Sequence, residues 1–229
     1  MLHHMNRAVS EARTRLLYID AGTSTTTTSA TKTINLNIGD ASSDRWVIVL
    51  FQHPVSVSGR TVSSATINAV SASIGYNTSS ATTLFGYSVF YANVASGTTG
   101  VTITAVLTGT SSNFPSRFIV FSLYGKTTLS YTSVQDTGSA TTTTRTTSTS
   151  NVAGNNFVLN QWSAGIAASS PAWSGTPSAP TQQGNTSDGL MYGAVFNNLG
   201  DTLKATVGTT FTTSNSIACR LFSSLWSYT

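Results

Sequence analysis

The sequence predicts an all-β protein: an antiparallel β-sandwich of jelly-roll-like form, built from two related halves, with a short N-terminal arm or helix. Three observations favour this fold. Thr, Val, Ile, Tyr and Phe dominate after residue 20, turn-forming Gly, Asn and Asp recur at short spacing, and three hydrophobic blocks of the first half return in the second. Many short strands separated by frequent turns are typical of sandwiches and barrels.

The composition indicates an ordered, charge-poor protein. Of 229 residues, 39% are hydrophobic and only 8% are charged. Average soluble domains carry about 25% charged residues, so this surface must consist mainly of Ser, Thr, Asn and Gly. The length suits one large β domain or two small ones, with a core that needs neither disulfides nor metal. Cys219 is the single cysteine, which excludes an internal disulfide.

The charge pattern argues against a nucleic acid partner, and the lack of long apolar runs argues against a membrane-spanning helix. The chain carries 11 Lys and Arg against 7 Asp and Glu, a net charge of +4. The basic residues are scattered along the chain and form no stripe that could follow a phosphate backbone. No apolar run approaches the roughly 20 residues that a bilayer-spanning helix requires.

Three pairs of segments recur in the same order. The pairs are RWVIVLFQ at 45–52 with NFVLNQWSA at 156–164, the strand-turn-strand segments 84–107 and 190–209, and RFIVFSLYG at 117–125 with RLFSSLWSY at 220–228. The offsets, counted from Arg45, Phe90 and Arg117, are about 111, 106 and 103 residues. Conserved order with shrinking offsets indicates two related units, the second with shorter loops.

The repeats divide the chain into pseudo-repeats at about 30–125 and 140–228. They could form two tandem small sandwiches or interleaved parts of one sandwich. We favour one body over residues 21–229, because no Pro-rich linker separates the halves.

The first block, 45–52, predicts a strand with two apolar faces. Ile48 and Leu50 point one way with Trp46, and Val47, Val49 and Phe51 point the other way. We therefore expect a central strand that packs on the opposite sheet with one face. Loops, the N-terminal segment or a neighbouring subunit would cover the other face.

Residues 1–20 differ from the rest and are predicted to form an N-terminal arm. Apolar residues near helical spacing alternate with arginines, which suits a short amphipathic helix or an extended arm lying on a partner; a frayed terminus is the alternative. The residues predicted to contact a partner are Arg7, Arg13, Arg15, Leu16 and Leu17.

The residues that could carry chemistry are sparse, and the chain is predicted not to be an enzyme. His53, beside Pro54 at a strand end, is the single plausible base for a hydrolytic triad, and no GxSxG motif accompanies it. The carboxylates beyond residue 20 occur in turn-like contexts, where Asp commonly bonds the backbone. No metal or cofactor motif is present, so we expect no catalytic residue and no cofactor. Trp173, in the loop-like stretch SSPAWSGTPSAP, is the one predicted ligand contact.

The strand order resembles β-sandwich structural proteins of tailed bacteriophages. The residues that carry the resemblance are IGDASSDRWVIVLF, VSSATINAVSASI, VFYANVASGTTGVTITAVL, RFIVFSLYG and NVAGNNFV, over roughly 30–228. Asn68-Ala69 departs from the pattern, which usually has Gly-Gly or Asn-Gly there, and we expect an altered turn.

The resemblance implies a non-enzymatic role in the virion. It implies a capsid decoration or cement protein that binds the outer surface of the major capsid protein lattice and stabilises the head. The alternative is a tail or tail-fibre component that binds a host glycan. Either would be a homo-oligomer, a trimer in many such proteins, located in the virion and in the host cytoplasm during assembly.

Overall fold

Every regular element of the described chain is a β-strand. The computed structural model describes residues 14–25, 28–54, 60–80, 85–109, 115–138, 140–152, 155–164, 167–176, 182–198 and 204–229. Within these ranges the chain forms antiparallel sheets that pack against one another, which confirms the predicted all-β sandwich class. None of these residues belongs to a helix long and apolar enough to cross a membrane.

The first half of the chain forms two sheets. Its strands are β1 Arg15–Thr23, β2 Thr31–Leu36, β3 Trp46–Pro54, β4 Val62–Ile67, β5 Val70–Ser71, β6 Ser73–Ser80, β7 Phe85–Asn93, β8 Val101–Leu107 and β9 Arg117–Tyr124. The order β1-β9-β3-β7-β6 makes the first inner sheet, and β2-β8-β4-β5 makes the first outer sheet. The two sheets enclose an apolar core.

The second half forms one continuous sheet that bends into two layers. Its strands are β10 Leu129–Asp136, β11 Ala140–Val152, β12 Asn156–Ala164, β13 Ala172–Thr176, β14 Gln182–Asn185, β15 Met191–Asn198 and β16 Lys204–Tyr228. Residues 219–227 of β16 pair with β12, while residues 204–212 pair with residues 144–152 of β11. Phe211 stacks on Trp162 at 4.4 Å although Trp162 pairs with Leu221 in the ladder, so the first part of β16 folds back over β12.

The two halves have the same connectivity. The second inner sheet, β10-β16-β12-β15-β14, repeats the order of the first, and the second outer sheet places β11 and β13 on the folded-back part of β16 as β2 and β4 lie on β8. Counting β5 and β6 as one strand that switches sheets, each half is an eight-stranded jelly roll. The chain therefore forms two stacked jelly rolls, one from each half, whereas the arrangement favoured from the sequence was interleaved parts of one sandwich.

The strand registers refine the alignment of the repeats. Tyr18 pairs with Phe121, and Tyr131 pairs with Trp226; in each case a bulge follows the tyrosine. Phe121 pairs in turn with Ile48, and Trp226 with Phe157. The structural correspondence therefore differs by two residues from the alignment of the first and last hydrophobic blocks. A shift of two keeps every side chain on the same face of its strand, which is why the pattern alone did not reveal it.

The two-sided strand β3 is buried between the halves. Val47, Val49 and Phe51 pack toward the first outer sheet, and none of the three is exposed to solvent. Ile48 and Leu50 pack on the second inner sheet, at 0% and 2% exposure. The expectation that loops, the N-terminal segment or another subunit covers this second face was wrong, because the second jelly roll covers it.

The contact between the inner sheets is reciprocal. Strand β1 lies beside β14, and β10 lies beside β6. A Cβ atom on Gly184 of β14 would lie 2.1 Å from the ring of Tyr18, and one on Gly75 of β6 would lie 2.8 Å from the ring of Tyr131. A tyrosine of each half therefore occupies the space above a glycine of the other.

Two glutamines repeat this reciprocity near the centre of the interface. Gln52 donates from Nε2 to the carbonyl oxygen of Ala164 at 3.4 Å, and Gln161 donates to the carbonyl oxygen of Phe51 at the same distance. Both side chains are buried, so these bonds satisfy groups that water cannot reach.

The N-terminal segment departs from the prediction. Residues 15–20 belong to β1, which pairs with β9 at the edge of the first inner sheet, so an arm or helix extending through residue 20 is wrong for these positions. Residues 1–13 lie outside the described residues. The adjacent apolar residues Leu16 and Leu17 were misleading because they lie on opposite faces of β1, one buried and the other half-buried, so they fit a strand as well as a helix.

The turn at Asn68-Ala69 keeps its shape despite the unusual residues. Asn68 and Ala69 have φ values of 52° and 62°, the left-handed conformations of a two-residue hairpin turn. Asparagine tolerates this region well and alanine less so, since its Cβ crowds the following carbonyl. The altered residues therefore add strain at Ala69 without changing the hairpin.

The close approach of Tyr18 and Gly184 can be tested by a double-mutant cycle. Gly184→Ala should lower the free energy of unfolding by about 1–3 kcal/mol, because the new methyl group overlaps the tyrosine ring. In a Tyr18→Ala background the same change should cost little, giving a coupling energy of about 1 kcal/mol or more. Urea denaturation of the four proteins measures it, and additive effects would show that the halves do not meet at this point.

Candidate functional site

Four aromatic rings form a compact cluster in the second jelly roll. Trp162 stacks on Phe211 with ring centroids 4.4 Å apart, and both are 1% exposed. Trp173 packs edge-on against Phe211 at 4.7 Å, and Tyr192 lies 5.2 Å from Phe211 and 5.5 Å from Trp162. The two buried rings thus hold the two partly exposed rings in place.

The partly exposed rings line a cleft at the edge of the sandwich. The cleft has a volume of about 210 Å³ and is lined by Pro171, Trp173, Gln183, Gly184, Asn185 and Tyr192. Trp173 comes from β13 in the outer layer, whereas Gln183 and Asn185 come from β14 in the inner layer. The lining combines aromatic surface with two carboxamides and includes no charged side chain.

The corresponding edge of the first jelly roll is closed. There Asn77 of β6 accepts from the backbone N–H of Val62 on β4 at 2.9 Å and donates to its carbonyl oxygen at 2.7 Å. Ser88 donates to the same Asn77 oxygen at 2.8 Å. These bonds join the inner and outer layers of the first half, whereas β13 pairs with β16 and β14 pairs with β15 in the second half.

The sequence-predicted site residues fall in different places. Trp173 lies in the cleft, where its role as a ligand contact stays a prediction. Leu16 is 2% exposed within the core between the inner sheets, so its predicted partner contact is corrected to a core role. Arg15 is exposed, with its guanidinium 5.0 Å from the ring of Tyr124, and Leu17 is half-buried.

The structure does not bring the predicted arm residues together as one surface, because Leu16 points into the core while Arg15 is exposed. Arg7 and Arg13 lie outside the described residues. The described residues therefore hold one cleft with a predicted site residue in it, the one that contains Trp173.

The carboxylates with the best burial are committed to structural bonds. Asp188 accepts from Arg117 Nε at 2.6 Å, from Thr186 at 2.7 Å and from the backbone of Leu190 at 3.2 Å. The Arg117 guanidinium also donates to Gln52 at 3.0 Å. Since Arg117 belongs to the first half and Asp188 to the second, this ion pair helps to fasten the two jelly rolls together.

A second ion pair lies within the second half, beside tyrosines of the first half. Arg220 donates from Nε to Asp136 at 3.0 Å and again from Nη2, and its guanidinium lies 6.0 Å from the ring of Tyr87. The hydroxyl of Tyr76 lies 3.4 Å from the Asp136 carboxylate. Burial, with the nearby charge of Asp136, raises the pKa of Tyr76 far above its usual value.

Arg45 has a related structural role within the first half. Its guanidinium is fully buried and donates to backbone carbonyl oxygens of two loops, among them Val94 at 2.8 Å, Gly39 at 2.6 Å and Ser96 at 2.8 Å. Dense hydrogen bonding of this kind is what a buried guanidinium requires.

His53 and Cys219 are both buried. The His53 ring is stacked on Phe51 at 5.3 Å and fills the space above Gly86, where a Cβ would lie 2.0 Å from it. Burial raises the pKa of Cys219, which keeps the thiol protonated. Within the described residues no group of three His, Cys, Asp or Glu side chains could hold a metal ion.

The roles of Tyr192, Gln183 and Asn185 in lining the cleft were not predicted from the sequence. A signal for Tyr192 was present in the repeats, because the registers place Trp162 and Tyr192 where the first half has His53 and Gly86. An aromatic pair that replaces a histidine and a glycine marks a place where the two halves diverged. Gln183 and Asn185 gave no such signal in a chain so rich in polar residues.

Comparisons with known proteins assign no family. No family model matches the chain, and no curated protein does. The solved structure of PNGF-II has 9% identity and a TM-score of 0.29, and the match covers 94% of this chain and 66% of that one. The conserved protein of unknown function PA5104 from Pseudomonas aeruginosa PAO1 has 7% identity and a TM-score of 0.33, covering 94% and 99%. Similarity this low transfers neither fold nor function.

The buried tyrosines predict a loss of stability at alkaline pH. The pKa values of Tyr18, Tyr76, Tyr131 and Tyr192 are raised, each chiefly by burial. In the unfolded chain a phenol ionises near pH 10, so the unfolded state releases protons before the folded state does. Stability is therefore intact below about pH 10 and falls as the pH rises above it.

Thermal unfolding between about pH 8 and pH 11.5, with tyrosinate absorbance recorded in parallel, measures this effect. The melting temperature should fall above about pH 10, and Tyr131→Phe should make that fall shallower. A wild-type melting temperature that stays level across the range, with all tyrosines titrating normally in the folded protein, would rule the explanation out.

Proposed function

We propose that this chain is a structural protein of a bacteriophage virion, a capsid decoration protein that binds the outer surface of the major capsid protein lattice as a symmetric homo-oligomer. The observation that carries the proposal is that the segments resembling phage structural proteins form the rigid strands of two stacked jelly rolls. Jelly rolls occur repeatedly in viral capsid and lectin domains.

The use of the charged residues supports a structural role. Arg45, Arg117 and Arg220 hold loops and sheets together, and Asp136 and Asp188 are their partners or cap neighbouring backbone groups. These side chains stabilise the body and are not arranged around a cleft where a substrate could react.

The two outer faces also suit contact with other proteins. On the first outer sheet Thr33 bonds Thr104 at 3.3 Å, and on the second Thr146 bonds Thr210 at 3.0 Å, each pair side by side on neighbouring strands. Hydroxyl-bearing patches of this kind can be covered by a partner at little electrostatic cost, since the centres of protein interfaces are depleted in charge.

A tail or tail-fibre component is the second candidate. The feature that favours it is the cleft beside Trp173, because proteins that recognise host surfaces need a ligand site and a decoration protein does not. The two candidates differ in copy number, since a decoration protein follows the capsid lattice and a tail protein follows the few positions of the tail.

The abundance of this chain in purified virions tests the proposal. Quantitative gel densitometry against the major capsid protein should give a copy number that approaches that of the coat protein. A few copies per particle would contradict the decoration role and favour the tail. Absence from purified particles would overturn the virion role altogether.

A further inference from the structure

We propose that the cleft between β13 and β14 binds an uncharged saccharide ring, with Trp173 and Tyr192 as the stacking surface and Gln183 and Asn185 as hydrogen-bonding partners. The site is independent of the place of the chain in a virion, so it stands or falls separately from the decoration role.

The aromatic surface is pre-organised for a ligand. Trp173 and Tyr192 are partly exposed, yet each packs on the buried Phe211 ring, at 4.7 Å and 5.2 Å. Rings held in this way lose little conformational freedom when a ligand binds. Their faces and edges offer apolar surface for the C–H groups of a sugar ring, and the Tyr192 hydroxyl adds a polar tip.

The polar groups of the cleft match the hydroxyls of a sugar. Gln183 is exposed, and its carboxamide makes no hydrogen bond within the described part of the chain. Asn185 donates one Nδ2 hydrogen to the carbonyl oxygen of Thr186 at 3.1 Å, which orients the group and leaves Oδ1 to accept. A carboxamide both donates and accepts, so the pair can bond neighbouring hydroxyls in either sense.

The electrostatics favour an uncharged ligand. No charged side chain lines the cleft, and the nearby Asp188 carboxylate is already engaged by Arg117 at 2.6 Å. Burial and the charge of Asp188 raise the pKa of Tyr192, so its hydroxyl stays protonated and able to donate. An anionic sugar would find no cation here to offset the loss of its hydration.

The size of the cleft suits one ring. Its volume of about 210 Å³ corresponds to roughly seven water molecules. Binding sites for drug-sized ligands are larger, about 300–1,000 Å³. A single pyranose unit, free or at the end of a chain, fits these dimensions better than an extended oligosaccharide.

The first jelly roll provides an internal comparison. At the same edge, Asn77 bridges β6 to the backbone of Val62 on β4 and closes the gap between the layers. Within the described residues the second half has no such bridge between β13 and β14, and two aromatic rings stand at the opening. A jelly roll can therefore close this edge with one asparagine, and the open aromatic cleft is not a requirement of the fold.

Saturation-transfer NMR with a panel of methyl glycosides tests the inference on the full chain. The panel contains the glucoside, galactoside, mannoside, rhamnoside and N-acetylglucosaminide, with methyl sialoside as the anionic member. At least one neutral member should bind, and Trp173→Ala should raise the dissociation constant of that glycoside by about tenfold or more. Trp173→Phe, which keeps a ring, should retain part of the affinity.

Two further variants separate binding from folding. Gln183→Ala changes an exposed side chain, so it should weaken binding and leave the melting temperature unchanged even if Trp173→Ala destabilises the fold. Val70→Ala, at an exposed position in the first half, should alter neither property. The proposal is overturned if no neutral glycoside binds, if methyl sialoside is the one member that binds, or if Trp173→Ala and Gln183→Ala both bind as the wild type does.

Discussion

The burial of the first inner sheet on both faces is the constraint on which the rest of the structure depends. Its central strand β3 places Val49 and Phe51 in the core of the first jelly roll and Leu50 in the core between the jelly rolls. If either covering layer were missing, the apolar side chains on that face would be exposed to water. Each Å² of apolar surface so exposed would cost about 25 cal/mol of free energy. The first jelly roll is therefore incomplete without the second, although each has its own connectivity.

The contacts between the inner sheets come from equivalent elements of the two halves. A tyrosine of each half lies over a glycine of the other, and the glutamines at equivalent positions, Gln52 and Gln161, each donate across the interface. The halves differ at one edge, where Asn77 joins the layers of the first and Trp173 and Tyr192 line an open cleft in the second.

The fold class and the repeats could be predicted because they depend on local signals: β-branched strands, turn residues and hydrophobic blocks in a fixed order. The cover over Ile48 and Leu50 could not, since periodicity shows that a face is buried but not what buries it. The bend within β16 was not predicted because its polar run at 212–216, TTSNS, looks like many other segments of a chain so rich in Ser and Thr. Trp173 could be singled out by its polar surroundings, although the predicted loop is wrong because Trp173 belongs to strand β13. Its neighbours come from β14, β15 and β16 and meet it only through the tertiary fold.

Differential scanning calorimetry of the intact chain tests the shared core most directly. If the inner sheets bury one another as described, neither jelly roll is stable alone, and the chain should unfold in a single transition whose calorimetric and van't Hoff enthalpies agree. Two resolved transitions, each with the enthalpy of about half the chain, would show that the jelly rolls are independent domains and would contradict the account.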